Sequence, residues 1–246
     1  MAGESLMTAR RLSVVTAAVG AAAGGWTLAD PGLLHGPEAM QGSARGTALV
    51  LLVVALPVLL GSWWKAGRGS GAALLGSALW AVGHLVVADE LRVAGEGVAE
   101  RAPVRGVAAY VWVVATLNAL AWLARIVPSL GEYPTPMLEG TGVQTNAIYV
   151  QDLAVWLPLA AVSALWLWRR EARGGVVVTA LLGMWVIESL SIAVDQWVGA
   201  TADPASGVVS MSLVVPFLVL AAVGLVPWWL LARRASPLLT RSGGPV

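Results

Sequence analysis

"AIYVQDLAVWLPLAAVSALWLW", residues 147–168, decides the structural class of this chain. The stretch contains a single charged residue, Asp152, and a helix of this length spans a hydrocarbon layer about 30 Å thick. Similar runs recur along the chain, whose 246 residues are 58% hydrophobic and only 12% charged. A soluble domain carries about 25% charged residues. We therefore predict an all-α integral membrane protein, a single helical bundle over residues 1–246 in contact with the lipid bilayer.

Seven segments are apolar and long enough to cross the membrane, so the sequence predicts about seven transmembrane helices. The predicted spans are 12–28, 47–64, 71–88, 107–124, 147–168, 175–197 and 207–231. The first span has a basic start and a small-residue apolar stretch, as signal peptides have, but we expect it to be retained. Its Gly20 and Gly24 form a small-xxx-small spacing that lets another helix approach closely.

The connections between the spans set the expected orientation in the membrane. Residues 89–105 and 125–146 are too polar to span and are predicted loops. Short cytoplasmic loops are rich in Arg and Lys, and seven spans place ten basic residues on one side and five on the other. This predicts an external amino terminus and a cytoplasmic carboxyl terminus. If the first or third span is re-entrant, the front half inverts and spans 4 to 7 keep their direction.

Composition also limits the chemistry and the partners of the protein. Heavy use of Ala, Gly and Arg points to a GC-rich bacterium, and hence to its cytoplasmic membrane. The chain has no cysteine, which excludes disulfides, iron–sulfur clusters and thiol catalysis. A net charge of +1 without a basic run indicates no nucleic-acid partner. His35 and His84 lack the four-residue spacing of helical metal ligands, so no metal site or other cofactor is predicted.

Polar and ionisable side chains recur at helical spacing within predicted spans 4, 5 and 6. Spans 4 and 6 each carry two such residues seven positions apart, and in span 5 Tyr149 precedes Asp152 by one turn. A charge that faces lipid costs about 2.5–3.5 kcal/mol, so we expect these groups to face one another. The candidate ligand-binding residues are Asn118, Arg125, Tyr149, Asp152, Glu188 and Asp195.

Their depths predict two layers of contacts. Arg125 is expected to bond Asp152 or Asp195 near the outer surface, with Asn118 near Glu188 about 10 Å deeper. Two functional interpretations remain open. The layers form an acidic pocket, open to the outside, that binds a small solute or cation in a transporter-like or sensor-like protein. Alternatively, they only hold helices together in a non-catalytic subunit or assembly factor of a larger membrane complex.

Enzymatic activity is not favoured by the motifs of the chain. Neither a GxSxG nor an HExxH motif occurs, and no catalytic residue is assigned. Pro57, Pro158 and Pro216 lie inside apolar runs. Because proline lacks a backbone N–H, it is expected to kink a helix and leave a carbonyl without its donor.

From about Asn118 onward the sequence resembles a family of bacterial multi-pass membrane proteins without an assigned activity. The shared pattern is ARIxP, then GTGxxTNxxYVxDLAxxLP, then WRR. The matching positions are Arg125, Pro128, Gly140, Thr141, Gly142, Thr145, Asn146, Tyr149, Asp152 and Pro158. This resemblance implies a membrane-embedded core with a polar outer end, in which Arg125 and Asp152 act as a unit.

Overall fold

The computed structural model describes residues 2–30, 32–58, 60, 89–131, 138–139, 141 and 147–234. Every regular element in these ranges is helical, without a strand, which confirms the predicted all-α class. The α-helices are α1 (Ala2–Ala29), α2 (Glu38–Val50), α3 (Asp89–Arg101), α4 (Val104–Ile126), α5 (Ala147–Gln151), α6 (Leu157–Trp168), α7 (Ala172–Ala202) and α8 (Val214–Ala232).

Five helical stretches of the described chain have the length and hydropathy of membrane spans. They are Glu38–Val58, Val104–Ser129, Ile148–Trp168, Ala172–Ala202 and Met211–Ala232. The apolar part of α1, Val14–Ala29, is shorter than these. The predicted span 71–88 lies outside the described residues. A multi-pass helical membrane protein is therefore supported, and the count of seven stays a prediction.

Helix α7 lies at the centre of the bundle. The helices α2, α3, α6 and α8 all pack against it, and α4 packs on the outside of α6. The sequence explains this position, because the run "GGVVVTALLG" (174–183) is buried on every side. A helix that is apolar all round belongs in an interior.

The outer surface of the bundle is apolar. Large aliphatic side chains on α1, α4 and α8 are exposed, among them Val19, Leu117, Leu120, Val215, Val219 and Val226. Soluble proteins rarely expose contiguous apolar patches of this extent. These faces are suited to contact with lipid.

Residues 89–101 form helix α3, so the predicted loop over 89–105 is wrong for most of its length. The reason is a close approach of two helix backbones. A Cβ atom on Gly175 would lie 2.6 Å from the carbonyl oxygen of Gly95, and one on Gly95 would lie 2.8 Å from Val176 Cγ2. Packing against α7 stabilises a helix whose own composition is too polar to predict it.

The direction of α2 differs from the seven-span expectation. Gly42 packs against Val198, Gly46 packs against Asp195, and further along α2 Ala55 faces Met184. Helix α2 is therefore antiparallel to α7, whereas seven complete crossings make these two helices parallel. The inverted front half, the alternative left open by the sequence, agrees with the observed direction.

Helix α1 packs against α2 through the predicted glycine pair. Cβ atoms built on Gly20 and Gly24 would lie 3.3 Å from Leu56 Cδ2 and 3.1 Å from Leu52 Cγ. This confirms the close helix approach that the small-xxx-small spacing predicts. The pairing also shows that α1 is antiparallel to α2, so α1 begins at the end of the bundle where α7 begins.

Two π-helical turns interrupt the spans, and both precede a Leu-Pro pair. One comprises Leu51–Ala55 and the other Asp152–Trp156. In each turn the N–H of the leucine before the proline bonds the carbonyl five residues earlier. Proline cannot supply the next helical donor, so the predicted breaks at Pro57 and Pro158 take the form of π-turns. Such turns occur frequently at functional sites.

Candidate functional site

Asp152 is the first residue of the second π-turn and is buried, with 8% of its surface exposed. Its Oδ2 accepts a hydrogen bond of 2.8 Å from the indole Nε1 of Trp122 on α4. The Trp122 ring also lies against Tyr149, with 4.4 Å between ring centroids. The structure thus brings Tyr149 and Asp152 together with α4, as their shared helix face predicts.

Trp122 is a site residue that the sequence interpretation missed. A tryptophan near the end of a span predicts a place in the headgroup layer rather than beside a buried carboxylate. The available signal was its position four residues after Asn118, on the same face of α4. Buried indole N–H groups usually find a hydrogen-bond partner, and a neighbouring carboxylate is a strong one.

Glu188 lies near the middle of the membrane-spanning part of α7. The exposed Trp197 on the same helix is about 14 Å further along, at 1.5 Å per residue. Glu188 itself is exposed, and the Asp152 carboxylate is close enough to repel it. Asp152 belongs to the neighbouring span Ile148–Trp168, about 6 Å inside its first residue at 1.5 Å per residue.

A groove of about 290 Å³ opens beside Glu188, between α2 and α7. Both π-turns border it, through Leu51 on one side and Trp156 on the other. Most of the wall is aliphatic. Its polar groups are the Glu188 carboxylate and the hydroxyls of Thr47 and Ser191. The volume is at the lower limit of small-molecule pockets, which begin at about 300 Å³.

Asp195 lies outside this groove, in a tight contact between α2 and α7. A Cβ atom on Gly46 would lie 2.8 Å from Asp195 Cα, and one on Gly42 would lie 2.9 Å from the carbonyl oxygen of Val198. We call this contact the glycine seam. The Asp195 carboxylate accepts hydrogen bonds there from Ser43 and Gln196. Because the seam leaves no gap between the helices, it closes the groove toward Ala202.

The predicted pairs of Arg125 with Asp152 or Asp195 do not form. Arg125 is exposed and makes no ion pair among the described residues. The physical reason is that Trp122, one turn earlier on α4, already occupies Asp152. Asp195 belongs to the glycine seam, and α4 packs on α6 rather than on α7.

The second predicted layer, Asn118 with Glu188, is also absent. Asn118 is half-buried on α4 and makes no hydrogen bond within the described chain. Within the same residues, no group of three or more His, Asp or Glu side chains gathers as metal ligands. The site therefore consists of the Glu188 carboxylate, two hydroxyls and an apolar wall, with the buried Asp152 carboxylate close to Glu188.

No protein-family model matches the chain, and neither a curated protein nor a solved structure matches it.

Proposed function

We propose that the protein is a multi-pass protein of the bacterial cytoplasmic membrane that binds a small cationic solute or a cation in the groove at Glu188, for transport or sensing. The observation that carries this proposal is the placement of Glu188, an exposed carboxylate that lines the groove inside the span Ala172–Ala202, with the buried Asp152 carboxylate close to it on the neighbouring span. In the described part of the chain no basic side chain is paired with either one. A bound positive charge would supply the counter-charge that the described residues do not.

Asp195 provides an internal contrast for the role of Glu188. Its carboxylate is held by Ser43 and Gln196 in a close-packed seam, which is the pattern of a structural polar contact. Glu188 has no hydrogen-bond donor among the described residues and faces an open groove. An ionisable residue placed in this way inside a membrane is by default a functional group.

The distribution of arginines supports a cytoplasmic location for the end of the bundle where α7 begins. Antiparallel packing of α1, α2 and α7 places most of the described arginines at or near that end, and only Arg45 and Arg125 toward the other. The arginines of the first group are Arg10, Arg11, Arg92, Arg101, Arg105, Arg169, Arg170, Arg173, Arg233 and Arg234. Because basic residues concentrate on the cytoplasmic side of a membrane, the amino end of α1 and the carboxyl end of α8 both lie in the cytoplasm.

Ligand-induced stabilisation tests this function. The full-length protein in lipid nanodiscs is heated with chloride salts of sodium, potassium, ammonium and small organic amines, at constant ionic strength. A ligand at 100 times its Kd stabilises the folded state by about 2.7 kcal/mol, so at least one cation should raise Tm. We expect Glu188→Gln to lose this response and Asp195→Asn to keep it with a lower starting Tm. The proposal is wrong if no cation stabilises the wild type more than Glu188→Gln.

A subunit of a larger membrane complex is the second candidate. The same open groove favours it, because a basic side chain on a partner helix would also neutralise Glu188. In that case a partner copurifies with the wild-type protein and is released by Glu188→Gln, and added cations leave Tm unchanged.

A further inference from the structure

We propose that the occupant of the groove is an amphipathic organic cation, a primary ammonium group on a compact apolar body. This inference rests on the proposed function and specifies its ligand class. It derives from the number and placement of the polar groups in the groove, from the character of the remaining wall, and from the closed glycine seam.

The polar groups match the donors of a primary ammonium. Such a group has three N–H donors and no acceptor. The groove offers three side-chain acceptors, the carboxylate of Glu188 and the hydroxyls of Ser191 and Thr47. Ser191 lies one turn after Glu188 on the same face of α7, and Thr47 faces them from α2. A charged donor also gains more from a carboxylate than a neutral one does.

The two hydroxyls are available for a ligand. In a helix, Ser and Thr hydroxyls commonly bond a carbonyl of the preceding turn, and in this protein Thr27, Thr179 and Thr201 do so over 2.7–2.9 Å. Thr47 and Ser191 make no such bond within the described chain. Their hydroxyl groups are therefore free to accept from an ammonium.

The remaining wall suits the apolar part of an amine. Leu51, Met184 and Ile187 give it an aliphatic surface, and Trp156 adds an aromatic ring. Met fits irregular ligand shapes because its side chain is flexible, and aromatic rings attract organic ammonium groups. Hard metal ions require about six oxygen ligands, more than this wall provides, so the surface selects an organic cation.

The closed seam determines how the ligand arrives. Gly42 and Gly46 allow α2 and α7 to touch above the groove, on the side of Ala202, so there is no passage between these helices at that end. Among the described residues the groove is accessible from the side of the bundle, through which Glu188 is exposed. A compound that partitions into the bilayer through an apolar body can reach the groove from that direction.

Three matched probes test the ligand class, with binding measured on the full-length protein in nanodiscs by calorimetry and by Tm. They are benzylammonium, the neutral benzyl alcohol of similar shape, and ammonium. We expect benzylammonium to bind at least about tenfold more tightly than either of the others. We expect Glu188→Gln to abolish this preference, and Thr47→Val or Ser191→Ala to weaken benzylammonium binding about three- to tenfold. Asp203→Asn, a carboxylate change in the loop after α7, serves as the matched control and should bind normally.

The outcomes separate this inference from the proposed function. Binding of ammonium, sodium or potassium without benzylammonium overturns the ligand class and leaves cation binding intact. Equal, measurable binding of benzyl alcohol and benzylammonium also overturns the ligand class, and the absence of any cation response overturns both proposals. If Glu188→Gln fails to fold, Ser191→Phe, which fills the groove without removing the carboxylate, must abolish benzylammonium binding for the inference to stand.

Discussion

Trp122 donates its indole N–H to the Asp152 carboxylate over 2.8 Å, and this bond connects α4 to the π-turn beside the groove. The contact fixes the acidic side chain that lies close to Glu188. It also shows why Asp152 is tolerated inside an apolar span, because a carboxylate with a direct donor is less costly to bury than one without. Helix α4 packs on α6 rather than on α7. Through this hydrogen bond it nevertheless influences the acidic groups near the groove.

Replacing Trp122 with Phe should destabilise the protein by about 1 kcal/mol, because it keeps an aromatic ring at this position but removes the donor to Asp152. The measurement is the free energy of unfolding in mild detergent. Trp112→Phe is the matched control for general effects of removing an indole N–H, since Trp112 Nε1 donates to the carbonyl oxygen of Ala161 at 3.0 Å. A double-mutant cycle with Asp152→Asn should give a coupling energy of similar size. No coupling in the cycle would mean that the bond contributes nothing to the free energy of unfolding.

The glycine seam predicts that two glycine-to-alanine substitutions, one inside it and one outside, differ clearly in their effect on stability. Gly46→Ala should destabilise the bundle by about 1–3 kcal/mol, because its new methyl group would lie 2.8 Å from the Asp195 Cα atom and overpack the contact. Gly25→Ala in α1 meets no atom within 4 Å and should be neutral or slightly stabilising. Thermal unfolding of both variants in the same detergent makes the comparison. Equal Tm values would show that α2 and α7 do not touch at Gly46.

Arg170 lies in the tight turn between α6 and α7 with φ 60°, a conformation unusual for a side chain with a Cβ atom. Its Nη1 donates to the carbonyl oxygens of Ala99 at 2.6 Å and Glu100 at 3.3 Å, at the end of α3. Both Arg170→Ala and Arg170→Gly remove these bonds, but only Gly also removes the backbone strain. We therefore expect the Ala variant to be less stable than the Gly variant by about 1 kcal/mol. Denaturant unfolding of the two proteins measures this difference. A Gly variant less stable than the Ala variant would rule out backbone strain at this residue.

The antiparallel arrangement of α2 and α7 predicts which surface residues share a side of the membrane. Because the chain has no cysteine, single engineered cysteines report their own accessibility. In intact spheroplasts an impermeant maleimide should label Glu38→Cys and Ala205→Cys. It should label Arg101→Cys and Arg169→Cys only after permeabilisation. Labelling of Glu38→Cys and Ala205→Cys from opposite sides would instead restore the seven-span arrangement.

The sequence predicts that the chain is a membrane protein. It also predicts four of the spans to within a few residues at most of their ends. Hydrophobic length alone determines these features, since the bilayer sets how many apolar residues a helix needs. The inward orientation of Asp152 with Tyr149 followed from helical periodicity. The direction of α2 was not accessible in this way, because it depends on which intervening segments cross completely, and hydropathy does not decide that.

The partners of the polar residues were also beyond the sequence. Spacing and depth made Arg125 the natural partner of an acidic group, but two residues at one depth need not be on neighbouring helices. The choice between Trp122 and Arg125 as the donor to Asp152 depends on the rotation of α4 about its axis. That rotation is set by packing on α6, which no single span reveals. The glycine seam likewise depends on Gly42 meeting Gly199 and Gly46 meeting Asp195, both on a different helix.

The π-turn at Asp152–Trp156 makes the site sensitive to chain length as well as to side-chain identity. A π-turn contains one residue more than the α-helix it replaces, and each helical residue corresponds to a rotation of about 100°. Deleting any one residue of the segment Leu153–Val155 would restore regular helical winding and leave α6 correctly packed. It would also swing Asp152 by about a quarter of a turn, away from Trp122 and from Glu188. Shortening the segment by one residue is thus a way to dismantle the acidic pair without replacing either carboxylate.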